Sequence, residues 1–315
     1  MNNPLTNKMV LRGIGIIIFI LIVIELDFTR TTEILSETKL AYFLAGLALF
    51  IPHLFLKVYR WSRILYFQRI RIKFKQLIHP YVGSYGLGII TPWKVGETTR
   101  IFYLRSKKVP LGTASFSALI DRLVDVSFFM LIGVLSMFFL FSYFKSYLVG
   151  VTLAIILIIM GGILLIKFRH KLFKFATKFI IHKKIREKTE ITIQEIWAEF
   201  KKFRFMAYVE LFLITALSWL FFYFEVYLFS MALSIPLTLW HVIILVSIAS
   251  IVNMLPITVS GIGTRDATFV FLFGIFGFAT EQAIALSLLI LFMWVVNALF
   301  CLVFWWERPI QIKNT

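Results

Sequence analysis

The chain has 315 residues, 60% of them hydrophobic and 16% charged, with a mean hydropathy of +0.89. Soluble domains hold about 45–50% apolar and about 25% charged residues, so this composition excludes an aqueous globular protein and indicates a membrane protein. The net charge of +17 invites a nucleic-acid reading, but 28 of the 33 Lys and Arg residues fall in five clusters: Lys8 with Arg12, 57–75, 94–108, 167–204, and Arg308 with Lys313. Cytoplasmic placement of all five satisfies the positive-inside rule with no nucleic acid, and such clusters also hold anionic headgroups.

In chain order, the first apolar run, 11–28, follows Lys8 and Arg12 as a signal sequence would. It lacks a small-residue cleavage pattern and so reads as an uncleaved span. Further runs near the ~20 residues a span needs are 38–56, 111–141, 147–168, 207–232 and 281–306. Six spans place both termini in the cytoplasm, with the chain integral to the cell (plasma) membrane. Two apolar stretches fit less simply. Residues 76–92 hold Pro80, Gly83, Gly86, Gly88 and Pro92 between two basic clusters, and a crossing there would strand Lys94, Arg100, Arg105, Lys107 and Lys108 outside. Residues 237–278 hold Pro256, Gly261 and Gly263, then Arg265 and Asp266. Both read as re-entrant hairpins of broken helices, which membranes tolerate only inside protein or along a wet cavity. The expected fold is an all-α polytopic membrane protein: one integral domain, 1–315, with about six full spans and two re-entrant hairpins.

The hairpins and the spans after them form a degenerate repeat, 76–141 and 237–306. Each has an apolar run, a proline, a glycine, an acid with an arginine, and then a long span. Entry from opposite faces makes the repeat inverted, the arrangement of transporters with a midplane site; independent use of Pro and Gly to break helices gives the same pattern. Between the halves, Leu172, Phe175 and Phe179, then Ile193, Ile196, Trp197, Phe200 and Phe203, recur at helical spacing among basic residues in 167–205. This reads as amphipathic helix lying on the inner leaflet, or as a solvated basic linker.

Charge at membrane depth identifies the candidate site. Glu97 and Arg100 are three apart, as are Arg122 and Asp125, and Asp121 and Asp125 are four apart, so each pair shares a helix face. An uncompensated charge at the bilayer centre costs about 2.5–3.5 kcal/mol, so these groups must pair, reach an interface or line water. They read either as a buried ion-pair network clamping the hairpin to the next span or as ligand contacts. Thr91-Pro92 reads as an N-cap with proline at the first helical position. Gly96 allows close backbone approach, and Ser260-Gly-Ile-Gly-Thr264 precedes a second helix start. Free N–H groups at such starts bind anions, and Arg100 or Arg265 adds a bidentate phosphate grip. Glu225, deep in an apolar span, is a proton-relay candidate. The five histidines lack metal-ligand spacing, the one cysteine is Cys301, and no nucleotide loop or nucleophile motif is visible. No catalytic residue, metal or cofactor is expected.

In order along the chain, Pro92-Trp-Lys-Val-Gly-Glu97-x-x-Arg100, Asp121-Arg122-x-x-Asp125, and Pro256 with Ser260-Gly261-Ile-Gly263-x-Arg265-Asp266 resemble the lysylphosphatidylglycerol synthetase transmembrane-region family of flippase-like proteins. The resemblance covers about residues 10–307. It implies a membrane bundle that moves, or helps to move, a polar-headed lipid of anionic or polyprenyl-phosphate type between leaflets. A glycosyltransferase or lipid-modifying enzyme would be its partner. The implied positions are Pro92, Gly96, Glu97, Arg100, Arg122, Asp125, Pro256, Gly261, Gly263 and Arg265, with Asp121 and Asp266 where the family tends to have Glu. Trp93-Lys94 stands where Gly-Arg is commoner. The aminoacyl-transferase domain of fused members is not seen, so lysyl transfer is not expected. Two rival readings remain: an enzyme or enzyme subunit acting on a lipid-linked sugar, with a metal on Glu97, Asp121 and Asp125, and a non-transporting scaffold.

Overall fold

The computed structural model describes residues 28–140, 183–253 and 263–307, and these are helical with no strand. The expected spans 11–28 and 147–168 lie outside the described residues. Ten α-helices follow in order: α1 (Phe28–Ser36), α2 (Leu40–Phe67), α3 (Phe74–Ile90), α4 (Thr99–Ser106), α5 (Leu111–Phe139), α6 (Lys183–Lys202), α7 (Phe205–Ala232), α8 (Leu239–Val252), α9 (Thr264–Phe276) and α10 (Thr280–Glu307). A 3-10 helix, Pro92–Thr98, joins α3 to α4. Among them α2, α5, α7 and α10 are long and apolar enough to cross a membrane. Their outer faces carry exposed Leu44, Ile51, Phe55, Phe138, Leu213, Phe292 and Leu299, as lipid-facing helices do.

Helices α3 and α8 are shorter, 17 and 14 residues, or about 25 and 21 Å at 1.5 Å per residue. Neither reaches the ~30 Å of a bilayer core. The break after α3 has a chemical cause. Pro92 has no N–H to continue the ladder and disfavours helical backbone at Thr91, which is extended (φ −100°, ψ 142°). The Thr91 hydroxyl donates to the Leu87 carbonyl at 2.7 Å and accepts from the Gly96 N–H at 2.8 Å, so it staples the break. The predicted proline start therefore opens a 3-10 turn rather than an α-helix. Helix α9 begins after Gly263 (φ 89°), whose N–H donates to Asp266 Oδ2 at 2.7 Å. That carboxylate sits in the first turn, where the helix dipole favours it.

The two halves share one plan: long helix, short helix, short helix, long helix. Helices α2 and α7 are both 28 residues, and α5 and α10 are 29 and 28. Packing obeys the same exchange, since α3 lies on α10 while α8 lies on α5. Helices α2 and α7 run antiparallel: Lys39 N–H meets the Ala232 carbonyl at 2.8 Å, Phe43 stacks near Phe229, and Arg63 reaches Glu210. At mid-length His53 Nδ1 lies 2.8 Å from the Ser218 carbonyl. Each of these is the fourteenth residue of its helix, so equivalent positions touch, as a two-fold axis through an antiparallel crossing requires. The plan the two halves share takes in the long helix before each pair of short ones, which the expected units 76–141 and 237–306 left out.

One expectation needs correction. The span read as 38–56 continues to Phe67, so Lys57 and Arg60 lie inside the bundle, 3% and 1% exposed, instead of in a cytoplasmic cluster. Helix α6, from the segment expected on the inner leaflet or as a basic linker, packs on the start of α5. Its Phe200 packs on Phe116 with ring centroids 4.7 Å apart, Glu195 accepts from the Gly112 N–H at 2.7 Å, and Glu199 accepts from Thr113 at 3.1 Å. Leu172, Phe175 and Phe179 lie outside the described residues.

Candidate functional site: a central cavity walled by buried ion pairs

Charge inside the first half is organised around two aspartates one helical turn apart on α5. Arg60 donates through Nε to Asp121 Oδ1 (2.7 Å) and through Nη1 and Nη2 to the two oxygens of Asp125 (2.7 and 3.0 Å). Its Nη1 also donates to Thr215 Oγ1 at 2.7 Å. Asp125 accepts further from Lys57 Nζ at 3.1 Å and Trp219 Nε1 at 2.9 Å. Asp121 pairs with Arg100 Nη2 at 2.8 Å and accepts from Tyr81 at 3.3 Å. Asp121, Asp125, Arg60 and Arg100 are each at most 6% exposed. Desolvating so many charges is tolerable only because each carboxylate is bracketed by cations and neutral donors.

Arg100 therefore clamps the first hairpin to the following span. Glu97 stands 3.9 Å from it, a looser contact. Arg122 does not pair with Asp125 despite the favourable spacing, because Arg60 and Lys57 from α2 occupy that carboxylate. Sequence reasoning placed these two cations in a cytoplasmic cluster; a basic pair at i, i+3 in a helix continuing from an apolar run was the available signal. Gly96 is required by close approach, since a Cβ there would overlap the Leu87 carbonyl group.

In the second half, Arg265 and Asp266 form a smaller knot with Ser287 of α10. Arg265 Nε donates to Ser287 Oγ at 2.8 Å, and its Nη2 donates to Asp266 Oδ1 at 3.0 Å and the Ser287 carbonyl at 3.1 Å. The guanidinium also lies 5.0 Å over the Trp294 ring. Arg265 is 3% exposed, and its Nη1 has no partner. Pro256 and Gly261 lie outside the described residues.

Between the halves is a cavity with about 1330 Å3 of space between atoms, including the part that opens outward. Its wall draws on both halves: Phe50 and His53 (α2), Tyr85 and Gly88 (α3), Thr91 and Lys94 (the break), Arg122 and Asp125 (α5), Trp219 and Phe222 (α7), Ser250 and Asn253 (α8 and its end), Arg265 and Phe269 (α9), and Trp294 and Asn297 (α10). Of the two motif arginines proposed for a phosphate grip, Arg265 lines the cavity and Arg100 does not. Lys94 sits in the 3-10 turn with φ 56°, a left-handed conformation that non-glycine residues rarely adopt and that clusters at functional sites. Neither Lys94 nor Arg122 has a carboxylate partner among the described residues. Glu97, Asp121 and Asp125 do not converge as a metal-ligand group there, the latter two being occupied by cations.

Glu225 of α7 is fully buried beside this wall, and neither carboxylate oxygen has a hydrogen-bond partner. Asn297 is a neighbour, but without good hydrogen-bond geometry to it.

Comparison with known proteins agrees with this architecture. A family described as the lysylphosphatidylglycerol synthase TM region matches residues 10–301. A UPF0104 membrane protein of Methanocaldococcus jannaschii is 24% identical over 306 residues, covering 92% of this chain and 91% of that protein. No solved structure matches. With the match running from residue 10 into the last of the four long helices, the chain belongs to the lysylphosphatidylglycerol synthase transmembrane-region family.

Proposed function

We propose that this integral membrane protein is flippase-like, moving or helping to move a polar-headed, phosphate-bearing lipid between the leaflets of the cell membrane. The observation that carries the reading is the cavity lined by α3 and its 3-10 turn from one half and by α8 and α9 from the other, with Lys94, Arg122 and Arg265 on its wall. Cations at membrane depth mark the path of a charged substrate, and a site at the interface of inverted repeats suits alternating access. In this reading the short helices α3 and α8 enter from opposite faces, and both termini are cytoplasmic. The cavity-lining Arg265 contacts the headgroup, whereas Arg100 keeps the first hairpin closed. The task needs no catalytic residue or cofactor. Translocation runs down a gradient or as passive exchange, and a glycosyltransferase or lipid-modifying enzyme shares the lipid.

Leaflet exchange of fluorescent-headgroup phosphatidylglycerol in proteoliposomes tests the reading. Wild type should expose both leaflets to an external quencher, and Arg265→Gln should slow this at least about tenfold, the scale of one charge-assisted hydrogen bond. Equal exchange by a folded Arg265→Gln protein would remove the headgroup role.

A further inference from the structure

The sum of charge around the cavity specifies the headgroup more closely. Six cations are buried there or line the wall: Lys57, Arg60, Lys94, Arg100, Arg122 and Arg265. Four carboxylates face them: Glu97, Asp121, Asp125 and Asp266. Glu225 is outside this sum because no donor or cation in the structure compensates a charge on it. Among the described residues the cluster therefore carries an excess of two positive charges.

The excess is concentrated where a ligand would meet it. Asp121, Asp125 and Asp266 are engaged by Arg60, Lys57, Arg100 and Arg265, and among the described residues Lys94 and Arg122 make no ion pair of their own. Two buried nitrogen atoms of wall residues also lack partners: Arg265 Nη1 and His53 Nε2. A buried guanidinium N–H without an acceptor is costly, and a phosphate oxygen satisfies it with a charge-assisted bond. Among the described residues lining the wall the one acid is Asp125, and it already accepts from Arg60, Lys57 and Trp219. An ammonium on the headgroup would meet Lys94, Arg122 and Arg265 there, and an Asp125 already shared by two cations.

We infer that the cavity selects a lipid whose headgroup is a doubly charged phosphate, a monoester or a diphosphate, over a phosphodiester and over an aminoacylated headgroup. A phosphodiester neutralises half of the excess. A phosphate monoester carries about −1.5 to −2 near neutral pH and close to −2 at pH 8. The inference deepens the lipid-handling reading, on which the hydrocarbon part of the ligand rests, but its test is binding and not transport.

Dissociation constants are measured on the full chain in neutral detergent at pH 8 and low salt. The probes are dioleoyl phosphatidic acid, dioleoyl phosphatidylglycerol, lysyl-phosphatidylglycerol and inorganic phosphate. Phosphatidic acid should bind about tenfold tighter than phosphatidylglycerol, and lysyl-phosphatidylglycerol weakest, because one extra charge between partly buried groups at effective ε near 20 exceeds one decade of affinity. Lys94→Gln, at a half-buried position with no ion pair to lose, should narrow the ratio to about threefold or less, while exposed Lys75→Gln leaves it unchanged. Equal affinity for monoester and diester, or an undiminished ratio in Lys94→Gln, overturns the inference. Inorganic phosphate binding as tightly as phosphatidic acid overturns the lipid as source of the phosphate. Binding selectivity without leaflet exchange keeps the inference and rejects translocation; exchange without selectivity does the reverse.

Discussion

Arg60→Met separates buried from exposed ion pairing within one molecule. Arg60 is 1% exposed and donates four hydrogen bonds, three of them to carboxylates. Its removal leaves two buried aspartates sharing Lys57, Arg100, Tyr81 and Trp219, with one fewer cation and a methionine that donates nothing. Breaking a buried pair on one side costs about 3–5 kcal/mol. At roughly 2–4 °C per kcal/mol, the thermal midpoint in detergent should fall by about 6–20 °C. Three turns away from the α2 centre in the same direction, Arg63 pairs with Glu210 at 27% and 36% side-chain exposure. An exposed pair contributes about 0–1 kcal/mol, so Arg63→Met should shift the midpoint by less than about 4 °C. Adding Asp125→Leu to Arg60→Met should recover part of the loss, because the two positions share one network. Tryptophan fluorescence during thermal unfolding reads all three variants. Equal losses for Arg60→Met and Arg63→Met would refute the claim that the buried network holds the bundle together.

Glu225→Gln should leave the midpoint unchanged or raise it, since neither carboxylate oxygen has a partner to lose; a fall equivalent to more than about 2 kcal/mol would show that the acid is ionised and paired. Gly96→Ala should cost about 1–3 kcal/mol through forced overlap with the Leu87 carbonyl, read as a lower midpoint and faster proteolysis around residues 91–98. A midpoint equal to wild type would mean the turn is not the tight joint described.

Proline and glycine made the hairpin breaks legible in the sequence, because their effects on backbone are local. Thr91-Pro92 ends α3 where expected, and Gly263 precedes α9. Long apolar runs likewise showed α5, α7 and α10. Pairing partners were not legible in the same way. Asp125 lies at i+3 from Arg122, yet it binds Arg60 across 65 positions of sequence, because helix α2 presents its guanidinium at that depth and a helical neighbour does not. The same long-range geometry separated the two motif arginines, leaving Arg100 inside the ion-pair lattice and Arg265 on the cavity wall. Lys94 and His53 joined that wall through the turn and the helix crossing, neither of which has a residue pattern of its own.

The exchanged packing of the halves also governs when the protein can be finished during synthesis. The small-residue face of α3 lies against the last helix: a Cβ at Gly86 would stand 2.7 Å from Cys301 Cβ, and one at Gly83 would stand 3.3 Å from Trp305 Cα. Helix α8 rests on α5, which emerges early, but the glycine face of α3 must wait until α10 has left the ribosome. Until then the face carrying Gly83 and Gly86 lacks the surface that covers it, although α2 and the 3-10 turn already hold other sides of α3, and such late-closing contacts slow folding and prolong exposure. A chain interrupted before α10 leaves the glycine face of α3 uncovered, even though every residue of that helix has been made.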